Sequence, residues 1–506
     1  MNRTGTATNA VRACALILSM MLVAAPCASF AKTLRVAIPG FPTLGLNPLT
    51  STNLPPLYTF AAIFDALTWV DEHGAARPQV AVSWTAANEL TWVFKLRNDV
   101  RFSDGTPLTA KDVVFAIDLL HSPVGRSYTV NVELPSLRAG RVIDATTVEI
   151  TTWTPNPFLP QELSLVRLPS PRAWGAGGDA GFNANPVGSG PFKVVTQDPA
   201  RMVLTANPHA WRKPKVDRLE LIAAPDPITR TQGILSGRVD LTFVLGPDQI
   251  PQLEAEGHRV VVTAEPAIIL LAFITEKQSP LTDVRVRQAL NYAVDKQRIV
   301  DAIMAGHGRV ASQTAAANAF GFDPQIEPYP YDPDRARQLL AEAGYPEGFS
   351  MVGEIYSGTS SFATLVYQQT AADLLRVGVK LDLQLIPIPQ YARGLHQGDW
   401  RGVAFGIDYN AEPSYDALRG FYRHSCLWKV PWYCDREIMP VLEKALATFD
   451  LDERKALTHQ ILRRQRDQAP GILLYDQIRF DAVANRVSGY RFLGGYVPYD
   501  EIDVND

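Results

Sequence analysis

The stretch YDPDRARQLLAEAGYPEGF, Tyr331 to Phe349, specifies a helix by local chemistry alone. Asp332 suits the N-cap, and Pro333 stands at the first helical position, where its missing N–H costs nothing. Ala336, Leu339, Leu340 and Ala343 form one apolar stripe, and Gly344 with Pro346 ends it. Strand-like runs separate this unit from others of the same kind. TLRVAI, Thr33 to Ile38, is the first. In ELTWVFKLRNDVRF, Trp92, Phe94 and Leu96 alternate with Val93, Lys95 and Arg97, the period of a half-buried strand. VDRLELIAAPDPITRTQGILSGRVDLTF reads as strand, helix, turn and strand. DVRVRQALNYAVDKQRIVDAIMAG reads as one helix from a capping Asp283 to Gly306. A helix over Phe362 to Val377 precedes the strand GVKLDLQLIPI. Helices then cover Glu437 to Phe449 and Asp452 to Gln468, and two short strands lie between Gly471 and Val483. This alternation predicts an α/β fold with a substantially parallel sheet.

With 506 residues the chain exceeds what one hydrophobic core serves, so at least two domains are expected. The formal net charge of −4 argues against nucleic acid as a partner. Residues 1–31 have the pattern of a secretory leader. Arg3 and Arg12 are its positive part, Ala13 to Ala25 is apolar apart from Ser19, and Ser29 and Ala31 suit cleavage before Lys32. The apolar run is shorter than the ~20 residues a membrane-spanning helix needs. Pro26 and Ala24 make a poor lipoprotein signal around Cys27. A soluble, exported chain starting near Lys32 is expected.

Export bears on the nine residues CLWKVPWYC. Cys14 and Cys27 leave with the leader, so Cys426 and Cys434 remain. An oxidising compartment permits a disulfide between them. Their spacing excludes a C-x-x-C redox pair, and a metal site would want more than His424 nearby. Closing so short a loop is worth about 2.5 kcal/mol in the chain-entropy model.

Catalytic motifs are absent from the sequence: no H-E-x-x-H, no Walker A and no complete G-x-G-x-x-G. Asp104 reads as a turn residue, and Thr109 with Asp112 reads as a T-x-x-D capping box. NPVGSGPF, Asn185 to Phe192, departs from G-x-S-x-G and reads as a tight turn into a strand. An exported hydrolase with a dispersed site and a ligand-sensing module are the alternatives to a binding protein. No cofactor or metal is expected.

Several ordered segments resemble the family 5 extracellular solute-binding proteins, which serve peptide, nickel and opine ABC importers. They are FDALTWVDEHGAARPQVAVSW, TWVFKLRNDVRFSDGTPLTAKDVVFAI, VGSGPF, LTDVRVRQALNYAVDKQRIV and YDPDRARQLLAEAGYPEGF. The resemblance implies a type II periplasmic binding protein fold, with two α/β lobes, a two-strand hinge and an extra subdomain in the first lobe. The implied division gives residues 1–31 to the leader, 32–46, 188–264 and 479–506 to the first lobe, 47–187 to the subdomain and 265–478 to the second lobe. It implies a monomeric, non-catalytic periplasmic receptor that delivers a small molecule or peptide to permease subunits in the inner membrane.

The same resemblance places the solute site. FGIDYNAEP matches the stretch whose aspartate pairs with a peptide's α-amino group, with Asp408 at the aspartate, Phe405 in place of a tryptophan and one extra residue before Pro413. Ser51, Thr52 and Asn53 match an early ligand-contacting loop, and Tyr356 and Tyr409 complete the candidate set. Glu354, Tyr356 and Ser357 stand where dipeptide binders place an arginine, and Ile388 where they place a tryptophan. Both departures argue against a strict dipeptide binder. The pair Cys426 and Cys434 resembles a family cysteine pair, which implies a structural disulfide, with Trp428 and Trp432 packing locally.

Overall fold

A computed structural model describes residues 31–52, 54–356 and 362–505, so residues 1–30 of the expected leader, Asn53 and Ser357 lie outside the described residues. Among the described residues one ten-stranded sheet carries the body. Its spatial order is Val379–Ile386, Phe349–Tyr356, Ala404–Asn410, Arg259–Phe273, Gly471–Val483, Leu241–Thr242, Thr33–Ile38, Arg218–Ala223, Arg201–Ala206 and Phe192–Gln197. Thr33–Ile38 pairs parallel with both neighbours, and Phe349–Tyr356 does the same. Each such pair needs a crossover, and the helix Ala363–Leu375 supplies one.

The other pairings are antiparallel, so the sheet is mixed rather than substantially parallel. Two causes are visible. Phe192–Gln197 and Arg201–Ala206 form a hairpin whose turn is closed by Asp198 accepting from the N–H groups of Ala200 and Arg201. The two longest strands, Arg259–Phe273 and Gly471–Val483, run antiparallel from Arg259 opposite Val483 to Ala272 opposite Gly471. Their ladder is interrupted between Ala264 and Ile268, where Glu265 and Pro266 intervene. The two short strands expected between Gly471 and Val483 are therefore one strand of 13 residues. Asp476, near the middle of that strand, stays in the ladder opposite Ile268.

Residues 81–152 contain a separate antiparallel sheet, in the order Ala81–Asn88, Thr91–Leu96, Thr147–Thr152 and Leu137–Asp144. The helix Ala110–His121 covers it, and Phe94, Ile117, Val148 and Ile150 are buried between them. Thr109 begins that helix as expected. Its N–H and hydroxyl both donate to Asp112, at 2.6 and 2.9 Å. Asp104 is the expected turn residue, accepting from the N–H and hydroxyl of Thr106. In VGSGPF the glycines permit close approach. A Cβ on Gly188 would lie 2.2 Å from the Ile63 carbonyl oxygen, and one on Gly190 2.6 Å from the Ile63 carbonyl carbon.

The helix expected from Asp283 to Gly306 is two helices, Val284–Ala293 and Lys296–Ile303. Val294 is extended, and the Asp295 carboxylate accepts from the Arg298 N–H, so an internal aspartate acts as a second cap. Asp332, Pro333 and Gly344 play the parts their sequence positions indicate, around Pro333–Glu342.

Residues 47–187 touch residues 265–478 at several points. Phe158 meets Phe320 edge to face at 5.2 Å, and Trp92 meets Phe449 at 5.9 Å. Glu133 accepts from Arg419 at 2.6 Å and also pairs with Arg423. Glu133 ends the short helix Thr129–Glu133, and Arg419 lies on the helix Ala417–Tyr422.

Candidate functional site

Strand alternation decides what Ala404–Asn410 presents. Phe405, Ile407 and Tyr409 enter one apolar cluster with Trp400 and Trp432. Asp408 faces the other way, opposite Ile269 in the ladder. It is half-buried, and among the described residues its side chain has no hydrogen bond or ion pair with another residue. Burial pushes its pKa up, the positive charge of Arg423 opposes the rise, and the Glu265 charge adds to it.

Three tyrosines share the neighbourhood. Burial and then the Asp408 charge push the Tyr356 phenol up; burial first raises Tyr367, with smaller contributions from Tyr475, Tyr356 and Asp408, and Tyr391, with smaller ones from Tyr356, Asp408 and Tyr367. Tyr356 and Tyr391 have ring centroids 4.4 Å apart. The Tyr391 and Tyr367 hydroxyls donate to the carbonyls of Gly406 and Leu270, at 2.9 and 3.2 Å, and are held in place by them. Tyr356 closes the strand Phe349–Tyr356 and is the candidate of the three with a half-buried ring.

The remaining sequence candidates divide. Tyr409 is 3% exposed and lies in the apolar cluster against His424, on the face opposite Asp408. Ser51 and Thr52 are half-buried on the loop between Thr33–Ile38 and the helix Pro56–Ile63. That loop touches Thr129–Glu133, where the Val130 N–H donates to the Leu49 carbonyl. Glu354 is fully buried, accepting from the N–H groups of Arg401 and Gly402 at 2.8 and 3.0 Å. The missing dipeptide-type arginine is thus replaced by a carboxylate with a structural duty.

Sequence reading passes over a charged cluster where the two long strands are interrupted. Glu265 accepts from Arg479 at 2.5 and 2.8 Å and from Gln477 at 2.5 Å. Arg479 also donates to the Tyr58 hydroxyl and lies over the Phe492 ring at 3.9 Å. Glu412, the residue before the cis Pro413, is pushed up to about 7 by burial and the Glu265 charge, against the pull of Arg479 and Arg419. One signal for the cluster is the lone arginine of ILLYDQIRFDAV, a mostly apolar strand. Arg167, inside SLVRLP, is a second residue of this kind. It is 5% exposed and lines a cavity of ≈ 20 Å³ with Gln79, Ser164, Gly494 and Tyr496.

Cys426 and Cys434 are disulfide-bonded. Trp432 is 2% exposed and its indole N–H donates to His424 Nδ1 at 2.9 Å, while Trp428 donates to the Leu395 carbonyl. Both tryptophans pack locally. Among the described residues no cluster of ligating side chains suits a metal ion, and no helix is long and apolar enough to cross a membrane.

The chain is 27% identical to heme-binding protein A of Haemophilus influenzae over 445 residues, 82% of this chain and 81% of that protein. It is 27% identical to the glutathione-binding protein GsiB of Escherichia coli over 451 residues, 86% of each. Its fold matches NikA from Brucella suis, solved in complex with Fe(III)-EDTA, with a TM-score of 0.82 and 23% identity, covering 94% of this chain and 100% of that one. DppA from Helicobacter pylori, an ABC transporter-associated periplasmic binding protein solved with the peptide STSA, matches with a TM-score of 0.80 and 20% identity, covering 94% and 98%. The fold is accordingly that of the periplasmic binding proteins, mixed α/β with one large sheet. Residues 75–426 match the model of the bacterial extracellular solute-binding proteins, family 5, and the chain belongs to that family.

Proposed function

We propose that this chain is an exported receptor of an ABC importer, which captures a small peptide or amino-acid-like solute and hands it to permease subunits in the inner membrane without transforming it. The observation that carries this is Asp408, a half-buried carboxylate with no ion-pair partner among the described residues, whose charge reaches Tyr356, Tyr367 and Tyr391. Such a group suits a cation supplied from outside the chain. Tyr356 and the Ser51–Thr52 loop are its proposed companions. Asn53 belongs to the same proposed loop. Tyr409, on the opposite face, supports the strand. Relatives that bind heme, glutathione, peptide or nickel complexes show how widely the cargo varies within one fold.

In this reading residues 32–46, 188–264 and 479–506 form the first lobe, 47–187 its added subdomain and 265–478 the second lobe. Cleavage before Lys32 releases a monomer. The two long strands act as the hinge, and solute contacts to both lobes favour the closed arrangement. The test is mass spectrometry of what the purified protein releases on denaturation. A stoichiometric, intact small molecule with a cationic group is expected; turnover of esters or glycosides from a substrate panel sinks the reading.

A further inference from the structure

On the loop that joins the helix Lys296–Ile303 to the helix Pro333–Glu342, Asp323 finds its partners within the chain. It accepts from Arg463 at 2.8 Å and from the Gln325 N–H at 3.0 Å. Arg309 and Glu327, on the same loop, do not. Among the described residues neither side chain has a hydrogen bond or an ion pair, with the other or with any third group. Yet both line one cavity of ≈ 390 Å³. That is within the range of small-molecule sites, about 300–1,000 Å³.

Water satisfies an isolated surface charge, so the two matter through how they are held. The Arg309 guanidinium lies over the Phe322 ring, 4.7 Å from its centroid, which fixes its plane. Glu327 follows a turn closed by the Ile326 N–H on the Asp323 carbonyl, and its own carbonyl accepts from Arg466 at 3.3 Å. Both charges therefore stand on fixed backbone, and little ordering is left to do when a molecule arrives. The walls beside them are aliphatic, with Val300 and Ile326 buried and Val310 half-buried. Gln297 adds an amide whose nitrogen donates to Asp301 and whose oxygen is left to accept. One cation, one anion and branched aliphatic walls match an amphoteric molecule with an apolar body.

The cavity is separate from Asp408. Val310 bridges Tyr475 on the edge of Gly471–Val483, Tyr475 stands opposite Ile269, and Ile269 stands opposite Asp408. That row puts three strand spacings, about 14 Å, between the backbone at Val310 and at Asp408. The Arg309 carbonyl accepts from the Asp476 N–H at 2.8 Å, so a molecule held by Arg309 rests on the edge of a strand proposed as hinge. The Asp476 carboxylate accepts from the Ala317 N–H at 3.2 Å and makes no ion pair with Arg309. We infer that this cavity is a second binding site, for an α-amino acid with a branched aliphatic side chain. Its carboxylate goes to Arg309 and its ammonium group to Glu327. Nothing in this depends on what Asp408 holds.

The test uses the full mature protein with its co-purified solute left in place. L-Leucine is titrated by calorimetry beside L-leucinamide, which lacks the carboxylate, and 4-methylpentanoate, which lacks the ammonium group. The parent should bind leucine saturably and each analogue about tenfold more weakly or worse, because each pole supplies a charge-assisted hydrogen bond. Arg309→Gln and Glu327→Gln should each weaken leucine by a similar factor. Both positions are exposed, so the variants should keep the parent Tm within about 2 °C. A crystal of the parent grown with leucine should show it between the Arg309 and Glu327 side chains. No saturable leucine binding, variants that bind as the parent does, or leucine seated at Asp408 alone overturns the proposal. If denaturation releases no small molecule while leucine still binds through Arg309 and Glu327, the receptor reading fails and the second site stands.

Discussion

At the scale of single residues, charge placement decides what the site accepts. Asp408→Asn keeps shape and removes the anion. Losing one partner of a buried, hydrogen-bonded charge pair costs roughly 2–5 kcal/mol, about thirtyfold to several thousandfold in affinity, most of it in dissociation. Titration calorimetry with the co-purified solute checks this, with Asp104→Asn as a control that should stay within about threefold. Glu412 gives a pH prediction. Its folded pKa of about 7 lies above its ordinary 4.5, so the native state binds the extra proton between these values. Stability from this group is present below the lower value and is lost as pH rises through about 7. Thermal unfolding of the solute-free protein should show that decline, and Glu412→Gln should flatten it. Asp408 is proposed from the sequence because FGIDYNAEP resembles a family pattern. Glu412 and Arg167 are not, because what distinguishes them is the absence or excess of neighbours brought from distant segments.

Among the elements, those with local chemistry are the readable ones. The capped helices Ala110–His121 and Pro333–Glu342 need only their own termini to be recognised. Gly471–Val483 is misread as two strands because its polar residues are satisfied by partners far along the chain, Asp481 by the Val244 N–H at 3.0 Å and Arg479 by Glu265. The cysteine loop combines both kinds of information. Its bond follows from export and count, whereas the seating of Trp432 on a buried, neutral His424 is tertiary. Burial and the nearby Arg423 hold that imidazole well below its usual range. Replacing Cys426 and Cys434 together by serine should cost no more than about 2–4 kcal/mol, read by denaturant unfolding. Solute affinity should change little, since the loop stays anchored by the two tryptophans.

For the whole molecule, the α/β character and the family pattern are visible in the sequence, but the mixed sheet is not, because strand direction depends on which distant segments pair. The contacts from residues 47–187 to residues 265–478 supply a prediction. Glu133→Gln removes the anion that holds Arg419 and Arg423. For such partly buried pairs a loss of about 1–2 kcal/mol in the closed arrangement is expected, a factor of about 5 to 30 in affinity. Small-angle scattering should show a larger radius of gyration at subsaturating solute, and the parent should drift toward the variant as salt rises. An unchanged radius and affinity would remove Glu133 from the closure. The two long strands add a mechanical consequence. If the lobes swing about the interruption between Ala264 and Ile268, then Glu265 and Arg479 sit at the axis, whereas Glu133 with Arg419 and Arg423 joins segments on either side of it. A rotation parts groups that face each other across the axis and leaves groups on the axis nearly in place. In that reading the Glu265–Arg479 pair persists through every cycle as a fixed charge, and the Glu133 contacts are the ones that opening would have to break.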